Sequence, residues 1–259
     1  MKNTFFKMGL FLAVGLTSTV FYACKKESDD GNIGGNASKI IATGVINSST
    51  QIATVKAEVD WETNSDYGSD VIAQAQYQNT GFTLELPATL PAKYLEPLFG
   101  EEDFPHDVTV SDRTVKGTGV EIGAYDINEN NIGGFYLIDG ANEDEPDGVN
   151  WVYVDKNVTI KGEEREIDEE ENEEYIGKYD MNLKKGWNVV YGKWTESHSN
   201  STGRDVYAYT LTSKKPSGAN YFWYFSYNRI YSYDYSSAKV GTKFVAKKKL
   251  FLQNWKSEK

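Results

Sequence analysis

Apolar and polar residues alternate with a period of two through most of the chain between Lys39 and Lys193. Successive side chains of a β-strand point to opposite faces of its sheet, so this alternation is typical of strands with one buried face. The clearest cases are residues 53–59 and 82–86, and clusters of Asn, Gly and Ser mark turns between strands. Other strands are predicted at 40–46, 71–77, 115–125, 132–138, 151–154, 157–160, 206–211 and 221–225. The pattern predicts an all-β fold.

Prolines divide this pattern into two parts. Pro87 ends a predicted strand, and Pro91 and Pro97 prevent an ordinary central strand beyond it, because proline donates no ladder hydrogen bond. We therefore expect two β domains followed by a tail. The predicted units are a small N-terminal β-sandwich over residues 38–92, a larger β-sandwich or barrel-like domain over residues 93–235, and a basic C-terminal tail over residues 236–259.

The first of these domains resembles the small transthyretin-like or carboxypeptidase-regulatory-like β-sandwich. The residues that carry the resemblance are Gly44-Val45, 55–59, 72–75 and Gly81-Phe82-Thr83-Leu84 leading into Leu86-Pro87. The resemblance implies a fold rather than an activity. Modules of this kind usually act as spacers or supports for a neighbouring domain.

The N-terminal residues have the composition of a secretory signal. Two lysines precede an apolar run at 11–21, and the small residue Ala23 stands before Cys24. This combination is typical of a signal peptide, here residues 1–23, rather than of an ordinary membrane span. Residues 20–24 resemble a lipobox, which implies cleavage before Cys24 and attachment of lipid to that cysteine. The alternative is an N-terminal anchor helix that is never cleaved.

A hydrophilic tether is predicted over residues 24–37, because this charged, Gly- and Asn-rich sequence cannot pack into a core. A cysteine followed by lysines and then by acidic residues resembles the export signal of Bacteroidota-type surface lipoproteins. This resemblance implies a lipid-anchored outer-membrane protein displayed on the cell surface; the alternative is a tether that carries no address. Segments 183–191, 215–218 and 221–225 also look like uncharacterised lipoproteins of that type, for which no activity is known.

The balance of charges bears on the class of partner. The chain carries 38 Asp and Glu against 27 Lys and Arg, which gives a formal net charge of −11. Removal of residues 1–23 takes away two lysines and leaves −13. An acidic chain repels phosphates, so we expect no nucleic-acid partner. Cys24 is the single cysteine, which excludes an intramolecular disulfide and leaves stability to the core.

Motifs for the common catalytic and metal sites are missing from the sequence. The two histidines, His106 and His198, fall in predicted loops, and neither Cys-x-x-Cys nor His-Glu-x-x-His spacing occurs. The sequence also lacks a Gly-x-Ser-x-Gly elbow and a phosphate-binding glycine loop. We therefore expect no catalytic residue, no metal ligand and no cofactor. Nine of the twelve residues at 163–174 are acidic, and this run is predicted to be a solvated loop or a short exposed helix.

Two acidic segments have some of the residues that bind calcium. Asp126, Asn128 and Asn130 alternate like the start of a calcium loop, but Leu137 stands where an EF-hand requires Glu. An Asx-rich hairpin turn is the favoured interpretation. The acids within residues 139–147 offer a similar site without a supporting motif.

The aromatic stretch at 221–235 is the best candidate for a binding site in the sequence. Alternation places Trp223 and its odd-numbered neighbours on one face of a strand, where they would stack sugar rings while nearby polar groups bind hydroxyls. The candidate ligand-binding residues are Tyr221, Trp223, Tyr227, Asn228 and Asp234. The alternative, which we favour, is a central strand buried on both faces, because large exposed aromatic patches are rare.

These observations favour a non-catalytic binding or accessory lipoprotein at the cell surface, with a glycan as the expected ligand by analogy with where such lipoproteins work. The expected partners are the membrane, through lipid on Cys24, and a glycan or a surface protein. Two alternatives are open. One is a structural or adhesin-like subunit that exposes a sheet edge, and the other is a hydrolase that uses a pair of carboxylates.

Overall fold

The computed structural model describes residues 37–62, 66–98, 107–139 and 147–227. The predicted signal peptide, Cys24, Asn228, Asp234 and the basic tail lie outside these residues. The described residues are nearly all β, which confirms the predicted fold class. No helix among them has the length and apolar character needed to cross a membrane.

Fifteen strands and one short 3₁₀ helix, Ala92–Tyr94, make up the regular structure of the described residues. The strands are β1 (Lys39–Ala42), β2 (Thr54–Glu62), β3 (Tyr67–Gln76), β4 (Phe82–Glu85), β5 (Glu96–Pro97), β6 (Val108–Val110), β7 (Lys116–Gly119), β8 (Glu121–Tyr125), β9 (Asn131–Asp139), β10 (Asp147–Val154), β11 (Val158–Asp168), β12 (Glu173–Leu183), β13 (Gly186–His198), β14 (Asp205–Thr212) and β15 (Tyr221–Ser226). Each segment predicted to be a strand contains β structure, although the ends differ and the segment predicted as one strand at 115–125 forms two strands, β7 and β8.

The strands form two sheets. Strands β1 and β4 make a two-stranded antiparallel sheet. The larger sheet has thirteen strands, ten of which follow the order β3-β2-β8-β9-β10-β13-β14-β12-β11-β6. Strand β15 pairs with β9, and β7 pairs with both β10 and β5. The β12–β14 pair is the one parallel ladder between the described strands, and the other ladders are antiparallel.

Strands β10 and β13 lie between two hydrophobic cores. In β10, Trp151 and Tyr153 pack in the first core, whereas Val152 and Val154 pack in the second. Strand β13 repeats this division, with Trp187, Val189 and Tyr191 in the first core and Val190 and Trp194 in the second. Burial of both faces explains why these segments are apolar almost throughout.

The second core is enclosed by one face of the larger sheet. It contains side chains from β6, β10, β11, β12, β13 and β14. In the sheet these six strands follow the order β10-β13-β14-β12-β11-β6, so β10 and β6 are the two ends. Val154 of β10 and Val108 of β6 nevertheless pack in the same core. The sheet must therefore curl around this core.

The first core contains residues from both predicted domains. Ile40 and Leu84 from the first predicted domain pack in the same core as Trp187 and Phe225 from the second. Strand β2 also pairs with β8, so a single sheet continues across the predicted boundary at residue 92. The two-domain arrangement is therefore not confirmed.

The acidic run at 163–174 is a β-hairpin, so the prediction of a solvated loop or exposed helix is wrong. Strands β11 and β12 pair from Val158 opposite Leu183 to Asp168 opposite Glu173. Only residues 169–172 form the turn.

Gly186 begins β13 after a tight turn. Its φ is 101°, which glycine adopts without the steric cost that a side chain would bring. The Asn188 amide accepts a hydrogen bond from the Lys184 N–H at 2.8 Å and donates to the Lys184 and Gly186 carbonyls. Beyond this turn β12 and β13 separate, and β14 lies between them and pairs with both.

Candidate functional site

The inner face of β11, β12, β14 and β13 changes character along its length. Close to the second core it is apolar, with Met181, Leu183 and Leu211 buried. Further along the same strands, acids and tyrosines replace the apolar residues. We call this part the acid–tyrosine face. Its residues are Glu164, Glu166, Asp168, Glu173, Tyr175, Glu196, His198, Asp205 and Tyr207.

Strand register arranges most of these side chains in two rows across the four strands. The first row is Glu166, Tyr175, Tyr207 and Glu196. The second row is Asp168, Glu173, Asp205 and His198. Directly opposite residues on neighbouring strands have Cβ atoms about 5 Å apart. Each carboxyl group on the face therefore lies beside an aromatic ring or another ionisable group.

The tyrosines of the first row are packed against one another and against the second core. The rings of Tyr175 and Tyr207 stack with 5.5 Å between centroids and 21° between planes. Tyr207 also contacts Trp194, a buried residue of the second core, at 5.9 Å between centroids. These contacts fix the tyrosine rings, so the face is held in place by the core beneath it.

Glu173 is a buried carboxyl group at the centre of the face. It accepts hydrogen bonds from the Tyr175 hydroxyl and, at 3.4 Å, from the Tyr207 hydroxyl. Burial and the nearby Glu173 carboxylate raise the pKa of Tyr207 to about 12 and raise the pKa of Tyr175 further above its ordinary value. Because phenolates are disfavoured, these tyrosines are hydrogen-bond donors and not activated nucleophiles.

Two carboxyl groups of β11 are harder to ionise than usual. Burial raises the pKa of Glu164 and outweighs the lowering effect of the hydrogen bond from the Tyr179 hydroxyl. Burial and the neighbouring charge of Asp168 raise the pKa of Glu166. Ionisation of these two carboxyl groups therefore has an energetic cost, chiefly from burial and secondarily from neighbouring like charge.

The outer face of the same hairpin has compensating cations. Arg165 lies 2.7 Å from Glu163 and 2.9 Å from Glu174, and Lys178 lies 3.7 Å from Glu163. By contrast, the nine residues of the acid–tyrosine face include six carboxyl groups and one imidazole but no lysine or arginine. The His198 Nδ1 lies 2.8 Å from Asp205 at the edge of this face. Excess negative charge is therefore a property of the inner face and not of the whole hairpin.

The chemistry of this face suits a ligand that donates hydrogen bonds or carries positive charge, because ionised carboxylates only accept. Within residues 37–62, 66–98, 107–139 and 147–227, no group of three or more His, Cys, Asp or Glu is arranged to hold a metal ion. The carboxyl groups lie in rows along the sheet, each beside a tyrosine or a neighbouring acid. This arrangement favours contact with an extended ligand.

Trp223 is a core residue, in agreement with the alternative that the sequence favoured. It is 6% exposed, stacks on Trp151 and meets Phe82 edge-on at 5.3 Å. Its indole N–H donates to the Ile41 carbonyl at 3.0 Å. A sugar ring has no access to this indole without displacing core side chains, which contradicts the prediction of a Trp223 stacking platform.

The other residues of that predicted platform are not brought together by the described structure. Tyr221 is half-buried against the first core and contacts Tyr191. Tyr227 is exposed and meets Phe225 edge-on at 4.9 Å. Asn228 and Asp234 lie outside the described residues. A ligand-binding role for Tyr227, Asn228 and Asp234 stays a prediction.

Asp126 holds a hairpin turn between β8 and β9, which confirms the interpretation of this loop as an Asx-rich turn. Its carboxylate accepts hydrogen bonds from the Asn128 N–H at 2.9 Å and from the Asn130 N–H at 2.8 Å. The Asn130 amide donates to the second carboxylate oxygen at 3.0 Å. The pKa of Asp126 is lowered, chiefly by these hydrogen bonds from Asn130.

The acid–tyrosine face was missed at the sequence level although one signal for it exists. In Glu164-Arg165-Glu166-Ile167-Asp168 the acids recur with a period of two, and Arg165 and Ile167 lie between them. That is a strand pattern within a charged run. His198, predicted to lie in a loop, is the last residue of β13, and His106 lies outside the described residues.

Comparison with known proteins found no family model, no curated protein and no solved structure that matches the chain. The resemblances to transthyretin-like modules and to Bacteroidota-type lipoproteins therefore stay predictions.

Proposed function

We propose that this chain is a non-catalytic binding protein held at the outer face of the outer membrane by lipid on Cys24, and that it binds a glycan at the acid–tyrosine face. The observation that supports the proposal is the pair of cross-strand rows in which carboxyl groups flank the stacked Tyr175 and Tyr207. Sugars present many hydroxyl donors along one edge. An array of acceptors on a rigid sheet fits that pattern of donors.

The glycan proposal is tested with the full-length protein in detergent micelles on a glycan array. Glu196 is an exposed carboxyl group at the end of the first row, so Glu196→Gln should weaken binding by about tenfold if a charge-assisted hydrogen bond is lost. Glu85→Gln is the matched control, because Glu85 is an exposed acid on β4, outside the face. Equal binding by both variants, or no glycan bound at all, would contradict the proposal.

The lipid anchor is tested separately. Mass spectrometry of the membrane fraction should find an acylated N-terminus at Cys24, and Cys24→Ala should release the protein from the membrane. Stable anchoring requires two or more acyl chains, since one chain binds only marginally. Protein that retains an unmodified Met1 would contradict this part of the proposal.

The assembly alternative is less well supported. Strand β3 is ten residues long, has Asp70 as its one charged residue, and among the described strands pairs only with β2. Such an edge favours pairing with another strand. However, Ala57 pairs with Ala73 and Glu58 with Val71, which leaves Ile72 as a bulge. A bulge interrupts the edge and discourages pairing with a second chain.

The hydrolase alternative rests on the acids of the second row, where Asp168 and Asp205 flank Glu173. Glycoside hydrolysis needs two carboxyl groups that flank the scissile bond and are free to exchange protons. Glu173 is buried and accepts hydrogen bonds from two tyrosine hydroxyls, so it is poorly placed for such exchange. Release of sugar from a bound glycan would favour this alternative over simple binding.

A further inference from the structure

The acid–tyrosine face carries a strong negative charge that no cation of its own compensates. Six of its nine residues are Asp or Glu, and its one basic group is the imidazole of His198. Three cations of the same strands are engaged elsewhere: Lys161 lies 3.6 Å from Asp180, and Arg165 and Lys178 bind acids of the outer face. A positively charged segment on this face would relieve the repulsion between neighbouring carboxyl groups such as Glu166 and Asp168.

One segment of the chain has the opposite charge. Residues 236–259 contain seven lysines and one glutamate, in a chain whose net charge is −11. Phe244, Phe251 and Trp255 lie between the lysines. The segment therefore has lysines that can pair with carboxylates and aromatic side chains that can pack beside tyrosine rings.

We propose that the acid–tyrosine face docks the basic segment 236–259 of the same chain. Two observations favour this segment as the group that binds there: its charge is opposite to that of the face, and the chain is long enough to place it on the face. Thirty-two residues follow Tyr227, the last described residue, and an extended chain covers about 3.3 Å per residue. That length is far greater than the span of β13, the longest described strand, so the segment reaches the face without a second molecule.

The proposed docking depends on attraction between opposite charges. High salt weakens contacts between exposed charges, because the screening length falls to about 3 Å at 1 M salt. The docking itself requires no glycan, so it stands or falls independently of the proposed ligand.

The test is zero-length carbodiimide crosslinking of the full-length protein at low salt, with peptide mass spectrometry. Amide crosslinks are expected between lysines of 236–259 and the carboxyl groups of Asp168 and Asp205. Their yield should fall about tenfold at 1 M salt, as expected for exposed ion pairs. Absence of these crosslinks, or a yield that salt does not change, overturns the proposal. The salt comparison uses the natural sequence and so does not depend on the folding of a variant.

Two matched double variants test the site of docking. The variant E166Q/E196Q removes two charges from the face but keeps Asp168 and Asp205 as reporters, and the crosslink yield at those reporters should again fall about tenfold. The control D60N/E85Q removes two exposed charges from strands β2 and β4 and should leave the yield unchanged. Equal yields in the two variants overturn the proposal.

A mixture of ¹⁵N-labelled and unlabelled protein separates the same chain from a second copy. Crosslinked peptides of a single isotopic composition support docking within one chain. Peptides that join labelled and unlabelled halves show exchange between copies and overturn the intramolecular proposal.

Discussion

The indole rings of Trp151 and Trp223 stack with 5.7 Å between their centroids and 13° between their planes. Trp151 belongs to β10 and Trp223 to β15, and both strands pair with β9. Phe82 packs edge-on against Trp223 from the two-stranded sheet. The stack therefore joins the two sheets at the centre of the first core.

Trp223→Ala should destabilise the protein by about 3–5 kcal/mol, the range for truncation of a large buried aromatic side chain. The loss combines the indole contacts, the cavity left behind and the hydrogen bond to the Ile41 carbonyl. Chemical denaturation measures the free energy of unfolding. Tyr67→Ala is the control: Tyr67 is 84% exposed, and its truncation should change that free energy by no more than about 0.5 kcal/mol. Equal effects of the two substitutions would contradict the core assignment.

Much of the fold could be predicted because the alternation of side chains is a local property. The strands at 53–59 and 82–86 were readable from a few neighbouring residues. The pairing of β14 was not, because β14 lies between β12 and β13, which are joined by a short turn at Gly186. Insertion of a strand between consecutive strands depends on contacts between distant segments, which local patterns do not encode.

Tyr175→Phe should lower stability by about 1–3 kcal/mol, because the buried Glu173 carboxyl group loses a hydrogen-bond donor while ring stacking is kept. The free energy of unfolding in denaturant is the measurement. Tyr67→Phe removes a hydroxyl from an exposed ring and is the matched control. If the two variants are equally stable, the Tyr175 hydroxyl does not stabilise Glu173.

Glu164→Gln should stabilise the protein at pH 7. Because burial raises the folded-state pKa of Glu164, its contribution to stability is fully present below the unfolded-state pKa and is lost as pH rises through the folded-state pKa. Gln stays neutral and still accepts the hydrogen bond from Tyr179. The gain over the natural protein should shrink as the pH falls toward 4, and thermal unfolding at a series of pH values follows it.

Asp126→Asn should change the stability at pH 7 in the opposite direction from Glu164→Gln. Hydrogen bonds from Asn130 and Asn128 lower the folded-state pKa of Asp126, so its contribution is present above the unfolded-state pKa and is lost as pH falls through the folded-state pKa. Asp126→Asn should therefore destabilise the protein at pH 7, and this difference should also shrink in acid. If both substitutions stabilise the protein at pH 7, or both destabilise it, the assigned causes of the pKa shifts are contradicted.

The candidate site could be predicted only in part, because the many acids at 163–174 obscure the alternation of side chains that is typical of a strand. A run with nine acids in twelve residues is usually solvated, and the sequence shows no partner for Glu173. The tyrosines that bind it come from β12 and from β14, thirty-four positions away in the case of Tyr207. The aromatic stretch at β15 is the more conspicuous candidate in the sequence, since large aromatic residues mark cores and binding sites alike.

Gly162→Ala should destabilise the protein by about 1–3 kcal/mol, the cost of a strained backbone conformation. Gly162 lies in β11 opposite Val108 and has a φ of 135°, which L-residues rarely adopt. A Cβ atom there would also collide with the Asp107 carbonyl oxygen, which a strand backbone cannot easily move. Gly148→Ala is the matched control, because a Cβ at Gly148 has no neighbouring atom within 4 Å. That substitution should leave stability within about 0.5 kcal/mol of the natural protein or raise it slightly. If denaturant unfolding shows the two alanine variants to be equal, then β6 does not hold β11 at Gly162, and the closure of the curled sheet beside the acid–tyrosine face would have to be revised.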